Sequence, residues 1–367
     1  MLSSRFIARL PDELVFLYAE MEQELIELLA GKLKALKKAS SELELQTMIL
    51  ATWDRGAVEK IIRETNQKLA PSVQKIFERA LEKGNEGIAF DKMQKQLIHQ
   101  VLNKPVHEQF TALGLTEERI KRLTLTIADR GQNEFIKEAT RAFAKTNTGA
   151  WSYDDAIKSA VDNLIDNGIK TVQYSSSGKT IVRSVESMIR TNVLTGVNQV
   201  AREQALTQAE VLETNLVEVS AHMGARPEHA SWQGRIYQIN GESKKYPNLA
   251  ETTRLGEADG LMGINCRHFV RPFVEGDQKH FSAGELDELR ESEVKYNGVK
   301  ISQYEAEQKM RAIERAMRTE KKRIGAYKKA GVDASSASVK YKKLLATARD
   351  LQKQTGISLE TSRLYIG

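Results

Sequence analysis

Residues 222–234, HMGARPEHASWQG, and residues 263–272, GINCRHFVRP, contain the most distinctive chemistry of this chain and its sharpest change of pattern. Three of the six histidines, the one cysteine and one of the three tryptophans lie between His222 and Pro272. Most of the remaining sequence is rich in lysine and glutamate with apolar residues at helical spacing, which predicts helices. That periodicity does not explain this block, so we expect the function to depend on it.

Short segments within and beside the block predict a small antiparallel sheet. Residues 215–221 alternate valines with polar residues, and residues 235–239 and 267–274 are two further strand candidates. Pro272 has no backbone N–H to donate, so the third strand is expected at an edge of the sheet.

A long helix is predicted before these strands, over residues 182–209, with Asn198 among the polar residues that interrupt its apolar face. A polar break at residues 173–180 separates it from an earlier helix, which begins with Ser152 and Asp155 in capping-box register. The economical architecture is a long helix packed on a small antiparallel sheet.

The first 150 residues predict helices and little else. One apolar stripe begins at Leu14, and a second, over residues 73–81, follows Pro71, a residue suited to a helix start. Further stripes cover residues 93–101 and 116–145. We interpret this half as a helical bundle or docking arm, with the stripes forming its core.

The C-terminal region returns to helix, with Ser282 and Glu285, then Ser302 and Glu305, in the register of capping boxes. Residues 335–338 are interpreted as a linker. The region is basic, which is typical either of a solvated helix face or of contact with nucleic acid or an acidic protein surface. The candidate DNA-contacting residues are Lys309, Arg311, Arg315, Arg318, Lys321, Lys322 and Arg323.

Composition limits the class of protein. The chain has 367 residues, of which 28% are charged and 6% aromatic, and a formal net charge of +6. It has no apolar run of the roughly 20 residues that a membrane helix needs, and one cysteine forms no internal disulfide. We predict a predominantly helical α+β protein in three parts: a helical part over residues 1–150, an α+β core over 151–280 and a basic helical tail over 281–367.

Two apparent enzyme motifs are incomplete. Residues 177–180 resemble the end of a phosphate-binding loop, but Gln173 replaces the glycine that the loop needs. His107 and Glu108 begin like a metalloprotease helix, but Thr111 stands where the second zinc histidine belongs. Neither motif supports an enzyme.

The histidines and the cysteine of the block allow three interpretations, of which the first is a metal site. Cys266 and His268 are separated by one residue, so on a strand they share a face. With His222 and His229 they make one thiolate and three imidazoles, a donor set suited to zinc, although the spacing matches no common zinc module.

The structural alternative is a polar knot, in which these side chains satisfy buried backbone carbonyls. Catalysis by Cys266 with a histidine partner is a third interpretation, and no substrate pocket is visible in the sequence. The residues that would support the knot are Arg190, Arg226, Trp232 and Arg267.

The same block resembles a known family. The helix carrying Arg190 and Thr191, the block itself and the pattern over residues 304–315 are similar to the minor capsid proteins of tailed phages, of the minor capsid protein 2 type, which are similar in turn to Mu F-type head morphogenesis proteins. Met262 departs from the cysteine expected in some relatives, which makes a four-ligand metal site less secure. The matching residues are Ser220–His222, Gly224–Pro227, His229, Trp232–Arg235, Gly263, Asn265–His268 and Pro272–Phe273.

The resemblance implies a structural virion protein without enzymatic activity. It implies a place in the head interior or at the portal vertex, after assembly in the host cytoplasm, and a role in DNA packaging, retention or ejection. The implied partners are the portal protein and a coat or scaffold protein. No membrane contact is expected, because the sequence has no apolar run long enough for a membrane helix. Non-specific double-stranded DNA is a further expected partner, because basic helices bind phosphates without reading sequence. The competing hypothesis is a metal-dependent nuclease or toxin-like enzyme that uses the His/Cys cluster.

Overall fold

The computed structural model confirms a predominantly helical α+β protein. It describes residues 4–35, 41, 43–45, 47–48, 55–85, 131, 133–149, 151–168, 170–176, 179–241 and 243–364. In these residues no helix combines the length and the apolar character needed to cross a membrane.

The helices of eight or more residues are α1 (Asp12–Ala35), α2 (Arg55–Asn85), α3 (Tyr153–Asn163), α4 (Val185–Val211), α5 (Ala283–Arg290), α6 (Gln303–Ala330) and α7 (Ser335–Thr355). Residues 133–147 are also helical. Short helices occupy Ser4–Arg9, Pro227–Ala230 and Leu249–Thr253. The strands are β1 (Lys170–Ser176), β2 (Lys179–Ser184), β3 (Leu216–Val219), β4 (Ile236–Gln238), β5 (Val270–Phe273), β6 (Glu293–Tyr296) and β7 (Val299–Ser302).

The N-terminal helices are longer than predicted. Pro71 lies inside α2 and does not begin a helix, which corrects the sequence-based assignment. Buried apolar side chains continue on both sides of it, at Ile62 and Leu69 before and at Val73 and Phe77 after. Burying them offsets the cost of an internal proline, about 3 kcal/mol. The stripe predicted over residues 93–101 lies outside the described residues, as does the first part of the one over 116–145.

The predicted polar break at residues 173–180 is wrong, because the chain forms an antiparallel hairpin there. β1 and β2 pair from Lys170 with Ser184 to Ser176 with Lys179. The following helix therefore begins at Val185, three residues later than predicted. Apolar alternation was a poor guide to this hairpin, because its strands are rich in serine and threonine.

The predicted three-stranded sheet is confirmed, with the order β4-β3-β5 and antiparallel pairing throughout. The structure places β3 in the centre, where Val217 pairs with Tyr237 on one side and with Pro272 on the other. Pro272 lies on an edge strand, as its missing N–H requires. Each strand is shorter than its candidate segment.

The chain folds into two compact units, each assembled from separate stretches of sequence. The first contains Met1–Asp12, Pro71–Glu118 and Arg190–Gln308. Its core packs the long helix α4 against the sheet, and contributions come from Leu194 and Val217, among others. This packing confirms the predicted arrangement of helix on sheet, while the three-part division at residues 150 and 280 stays a prediction.

The second face of the sheet is also covered. Glu218 alternates with the core valines of β3, yet it is only 1% exposed. Its carboxylate pairs with Arg271 of the neighbouring strand and accepts a hydrogen bond from the backbone N–H of His280 at 3.0 Å. A residue that alternation alone assigns to solvent is therefore part of a buried ion pair.

The second unit contains Glu13–Ala70, Arg119–Ile189 and Lys309–Gly367. Helix α6 is tied to other helices of this unit by ion pairs, in which the basic side chains are mostly buried. Arg323 contacts Asp162 at 2.8 Å and Asp166 at 2.9 Å, and Lys322 contacts Glu22 at 2.6 Å. Charges on this helix therefore hold the unit together.

Two features of the C-terminal region differ from prediction. The segment 335–338 is the first turn of α7, so its assignment as a linker is wrong. The Asp333 carboxylate accepts a hydrogen bond from the Ser335 N–H at 3.1 Å and supports the start of the helix. The β6–β7 hairpin was missed, although Asn297 and Gly298 form the kind of turn that joins two strands, with φ of 50° and 80°.

Candidate functional site

The structure brings His229, Cys266 and His268 together in the first unit. The Cys266 Sγ lies 3.9 Å from the His229 Nδ1 and 3.6 Å from the His268 Nδ1. The three side chains are 2%, 2% and 1% exposed, in that order. We call these three residues the His/Cys cluster.

Different segments carry the cluster. His229 lies on the short helix Pro227–Ala230. Pro227 is suited to the start of this helix, because a residue there has no intrahelical partner for a backbone N–H and proline has none to donate. Cys266 and His268 come from the loop that precedes β5, outside regular strand structure. The two side chains nevertheless lie side by side. The Cys266 Sγ also accepts a hydrogen bond from the backbone N–H of His268, at 3.4 Å.

His222 lies beside the cluster. Its ring stacks on that of His268 with centroids 4.3 Å apart, and its Nδ1 is 2.8 Å from the Met223 carbonyl oxygen. In the described part of the chain, the ligand atoms that lie within 4.8 Å of one another belong to His229, Cys266 and His268. The fourth predicted member of the set is thus a neighbour of the group.

Burial sets the protonation of the cluster. It lowers the pKa of His229 and holds that of His268 well below the usual histidine value. Burial also raises the pKa of the Cys266 thiol. The imidazoles are therefore neutral at pH 7, and the sulfur keeps its proton unless a cation replaces it.

The arginines of the block bind loop carbonyls. Arg226 donates to the Ile264 carbonyl oxygen at 2.7 Å. Arg267 donates to the Gly224 carbonyl oxygen at 3.0 Å and to the Glu307 carboxylate at 3.2 Å. These contacts hold the two loops that carry the cluster in fixed positions.

The other two residues assigned to the knot have different surroundings. Trp232 packs against the rings of His229 and His268, with centroids 4.6 and 5.0 Å apart. Arg190 instead donates to the Ala8 carbonyl oxygen at 3.0 Å and to Asp12 at 2.8 Å. Its role is to fasten the N-terminal segment to α4.

Two residues of the site were not among the predicted site residues. The Gln233 Oε1 accepts from the His222 backbone N–H at 3.2 Å and faces the His268 Nε2 at 3.1 Å. The Asn198 side chain donates to the Cys266 carbonyl oxygen at 3.2 Å. Both had a sequence signal, because Gln233 lies in the stretch 222–234 and Asn198 interrupts an apolar helix face.

The loop that leads to Cys266 depends on two glycines. A Cβ at Gly260 would lie 1.9 Å from the Arg254 carbonyl oxygen, and one at Gly263 would lie 1.9 Å from that of Glu257. Backbone atoms cannot give way as a side chain does, so this loop requires glycine at both positions. The close packing of the loop holds Cys266 beside the histidines.

The candidate DNA-contacting residues fall into two groups. Arg318 donates to the Arg363 carbonyl oxygen at 2.9 Å and Lys321 to that of Leu364 at 2.9 Å, while Lys322 and Arg323 form the ion pairs of the second unit. Lys309 and Arg315 are exposed, and Arg311 is half-buried. A role in DNA contact stays a prediction for all seven, and the exposed ones are best placed for it.

The arrangement suits a closed structural centre better than catalysis. Its nucleophile is a buried, protonated thiol, and a thiol reacts mainly as the thiolate. Two imidazole nitrogens face the same sulfur, which is a donor set that binds zinc and other borderline cations.

Comparison with known proteins gives a consistent family. Residues 2–353 match the model of the family described as phage minor capsid protein 2. The chain is also similar to a protein named "Structural protein" from Lactococcus phage LL-H, with 24% identity over 299 residues, which cover 73% of this chain and 79% of the relative. No solved structure matches the chain.

Proposed function

We propose a function from the premise that this chain belongs to the phage minor capsid protein 2 family and is a structural protein of the virion. The proposed place is inside the head at the portal vertex. There the protein contacts the portal protein and a coat or scaffold protein and assists the packaging, retention or ejection of DNA.

The burial of the His/Cys cluster supports a structural role over an enzymatic one. Each of its three side chains is at most 2% exposed. A substrate would have to displace the packed Trp232 ring or the loops held by Arg226 and Arg267 to reach them. The cluster therefore serves the proposed function by keeping a rigid α+β core.

Helix α7 offers a surface for packaged DNA. It carries five basic residues and one acidic residue between Ser335 and Thr355, and all six are exposed. Exposed lysine and arginine side chains bind phosphates without sequence preference and release counterions as they do so. The basic residues are Lys340, Lys342, Lys343, Arg349 and Lys353.

A conditional knockout of the gene in its phage tests the proposed function. Particles assembled without the protein are expected to form heads but to contain less DNA or to fail in delivering it, and a copy supplied in trans should restore both. Cross-linking mass spectrometry of intact virions should join the protein to the portal protein. Particles that lack it yet package and deliver DNA at the normal level would overturn the proposal.

A nuclease assay separates the enzymatic alternative. Purified protein is incubated with plasmid DNA and Zn²⁺ or Mg²⁺, alongside the His268→Ala variant. We expect no cleavage above the background that both samples share. Cleavage by the wild type that His268→Ala abolishes, with the variant still folded, would contradict a purely structural role.

A further inference from the structure

The protonation pattern of the two cluster histidines is set by their outer contacts. The His229 Nε2 lies 2.8 Å from the Asp259 carbonyl oxygen, which only accepts hydrogen bonds, so the proton is on Nε2. The His268 Nε2 lies 3.1 Å from the Gln233 Oε1. That oxygen also accepts from the His222 backbone N–H, which identifies it as the carbonyl oxygen of the amide.

Both Nδ1 atoms therefore present a lone pair, and both face the Cys266 sulfur. The Sγ–Nδ1 distances are 3.9 Å for His229 and 3.6 Å for His268. One S–H group donates a single hydrogen bond, so a neutral thiol leaves one of the two buried lone pairs poorly satisfied. A cation bound between a thiolate and the two nitrogens satisfies all three atoms at once.

The distances fit such an ion. A tetrahedral zinc ion with Zn–S of about 2.3 Å and Zn–N of about 2.0–2.1 Å places sulfur and nitrogen about 3.6 Å apart. The two observed sulfur–nitrogen separations equal or slightly exceed this value, so both of these distances fit after shifts of a few tenths of an ångström. All the candidate ligand atoms lie within 4.8 Å of one another.

We propose that His229, Cys266 and His268 bind a zinc ion through the thiolate and the two Nδ1 atoms. Sulfur and imidazole donors select zinc over magnesium or calcium, which prefer oxygen. When the ion binds, the thiol proton leaves to solvent and a zinc–sulfur bond forms. The Nε2–H groups donate to Asp259 and Gln233, as metal-bound histidines usually donate to a carbonyl or carboxylate.

The fourth position is taken by a ligand other than these three side chains. Zinc usually takes four ligands, and the described residues supply three within reach. His222 stacks on His268 and directs its Nδ1 at the Met223 carbonyl oxygen, so in this conformation its Nδ1 is committed elsewhere. The ion links a short helix to a loop 37 residues further along the chain, and its role is to fasten these segments together.

Metal content of the purified full-length protein is the first test. Protein expressed with zinc in the medium should contain about one zinc per chain by elemental analysis, and Cys266→Ser and His268→Ala should lose it. His280→Ala is the matched control, because His280 is exposed and lies outside the cluster. Metal-free wild type, or full zinc retention in folded Cys266→Ser, would overturn the proposal.

Cobalt gives a spectroscopic readout of the sulfur ligand. Wild-type protein loaded with Co²⁺ should show a thiolate-to-cobalt charge-transfer band, and Cys266→Ser should show none. The positioning residue Gln233 is tested in the same way. Gln233→Leu should keep the band but bind zinc roughly 10–100-fold more weakly, since it removes an outer contact that orients His268.

A measurement on the wild type covers the case in which the variants do not fold. A strong chelator should lower the melting temperature and make Cys266 reactive toward a thiol reagent, and added Zn²⁺ should reverse both effects. A melting temperature and a thiol reactivity that respond to neither chelator nor zinc would contradict the proposal.

Discussion

Asn198 of helix α4 and Cys266 of the loop that precedes β5 are joined by a hydrogen bond, with the side-chain amide nitrogen 3.2 Å from the carbonyl oxygen. Asn198 is 1% exposed. Helix α4 thereby fixes the backbone beside the His/Cys cluster, which makes a polar residue on an apolar helix face part of the site.

Replacing Asn198 with alanine should destabilise the protein. The change removes the donor from a buried carbonyl, which costs about 1–3 kcal/mol. Chemical denaturation followed by circular dichroism measures the loss. Gln199→Ala is the matched control, because Gln199 is the next residue of the same helix and is exposed; a cost as large for the control would show that the helix and not the hydrogen bond is affected.

The Glu218–Arg271 pair should matter far more than an exposed pair. Glu218→Ala leaves the arginine without its buried carboxylate, and such a loss costs about 3–5 kcal/mol. Glu275→Ala, which breaks the exposed pair with Lys245, should leave the unfolding midpoint nearly unchanged. Equal midpoints for the two variants would mean that solvent reaches Glu218 in solution.

Gly263→Ala should destabilise the loop that carries Cys266. The added methyl group would meet the Glu257 carbonyl oxygen, so the backbone has to move. Gly284→Ala is the opposite case, because nothing lies within 4 Å of its Cβ and it sits in helix α5, where alanine is favoured by roughly 0.5–1 kcal/mol. Thermal melts should therefore shift in opposite directions for the two variants.

DNA binding should depend on helix α7 and on salt. A double variant with Lys342→Ala and Lys343→Ala should weaken binding to any duplex and reduce the slope of log affinity against log salt by roughly 1–2. Fluorescence anisotropy with two unrelated duplexes measures both effects. A preferred sequence, or affinity that does not change with salt, would contradict non-specific phosphate contact.

Arg323→Ala is the control for that experiment. Arg323 is bound to Asp162, Asp166 and Glu320, with its side chain 17% exposed. Its loss should lower the melting temperature and leave the salt slope of DNA binding unchanged. A lower slope with unchanged stability would show that Arg323 contacts DNA.

Local signals in the sequence were reliable where the cause is local. The capping box of Ser282 and Glu285 forms as predicted, because both hydrogen bonds lie within one helical turn. The edge position of Pro272 was also predictable, since a missing N–H excludes proline from a central strand. Pro71 is the counter-example, because the helix continues through it only when the apolar side chains on both sides are buried, and burial depends on the tertiary structure.

Sequence alone determined the predominantly helical α+β class, the three strands around the His/Cys block and the family, because periodicity and motif spacing are properties of neighbouring residues. Tertiary structure decided which of the distinctive residues meet. It placed His222 beside the His/Cys cluster, added Gln233 and Asn198 to the site, buried Glu218 and committed Arg323 to an ion pair. These contacts join segments far apart in the chain, and the free energy that selects them comes from burial and from pairing buried polar groups, which no local pattern records.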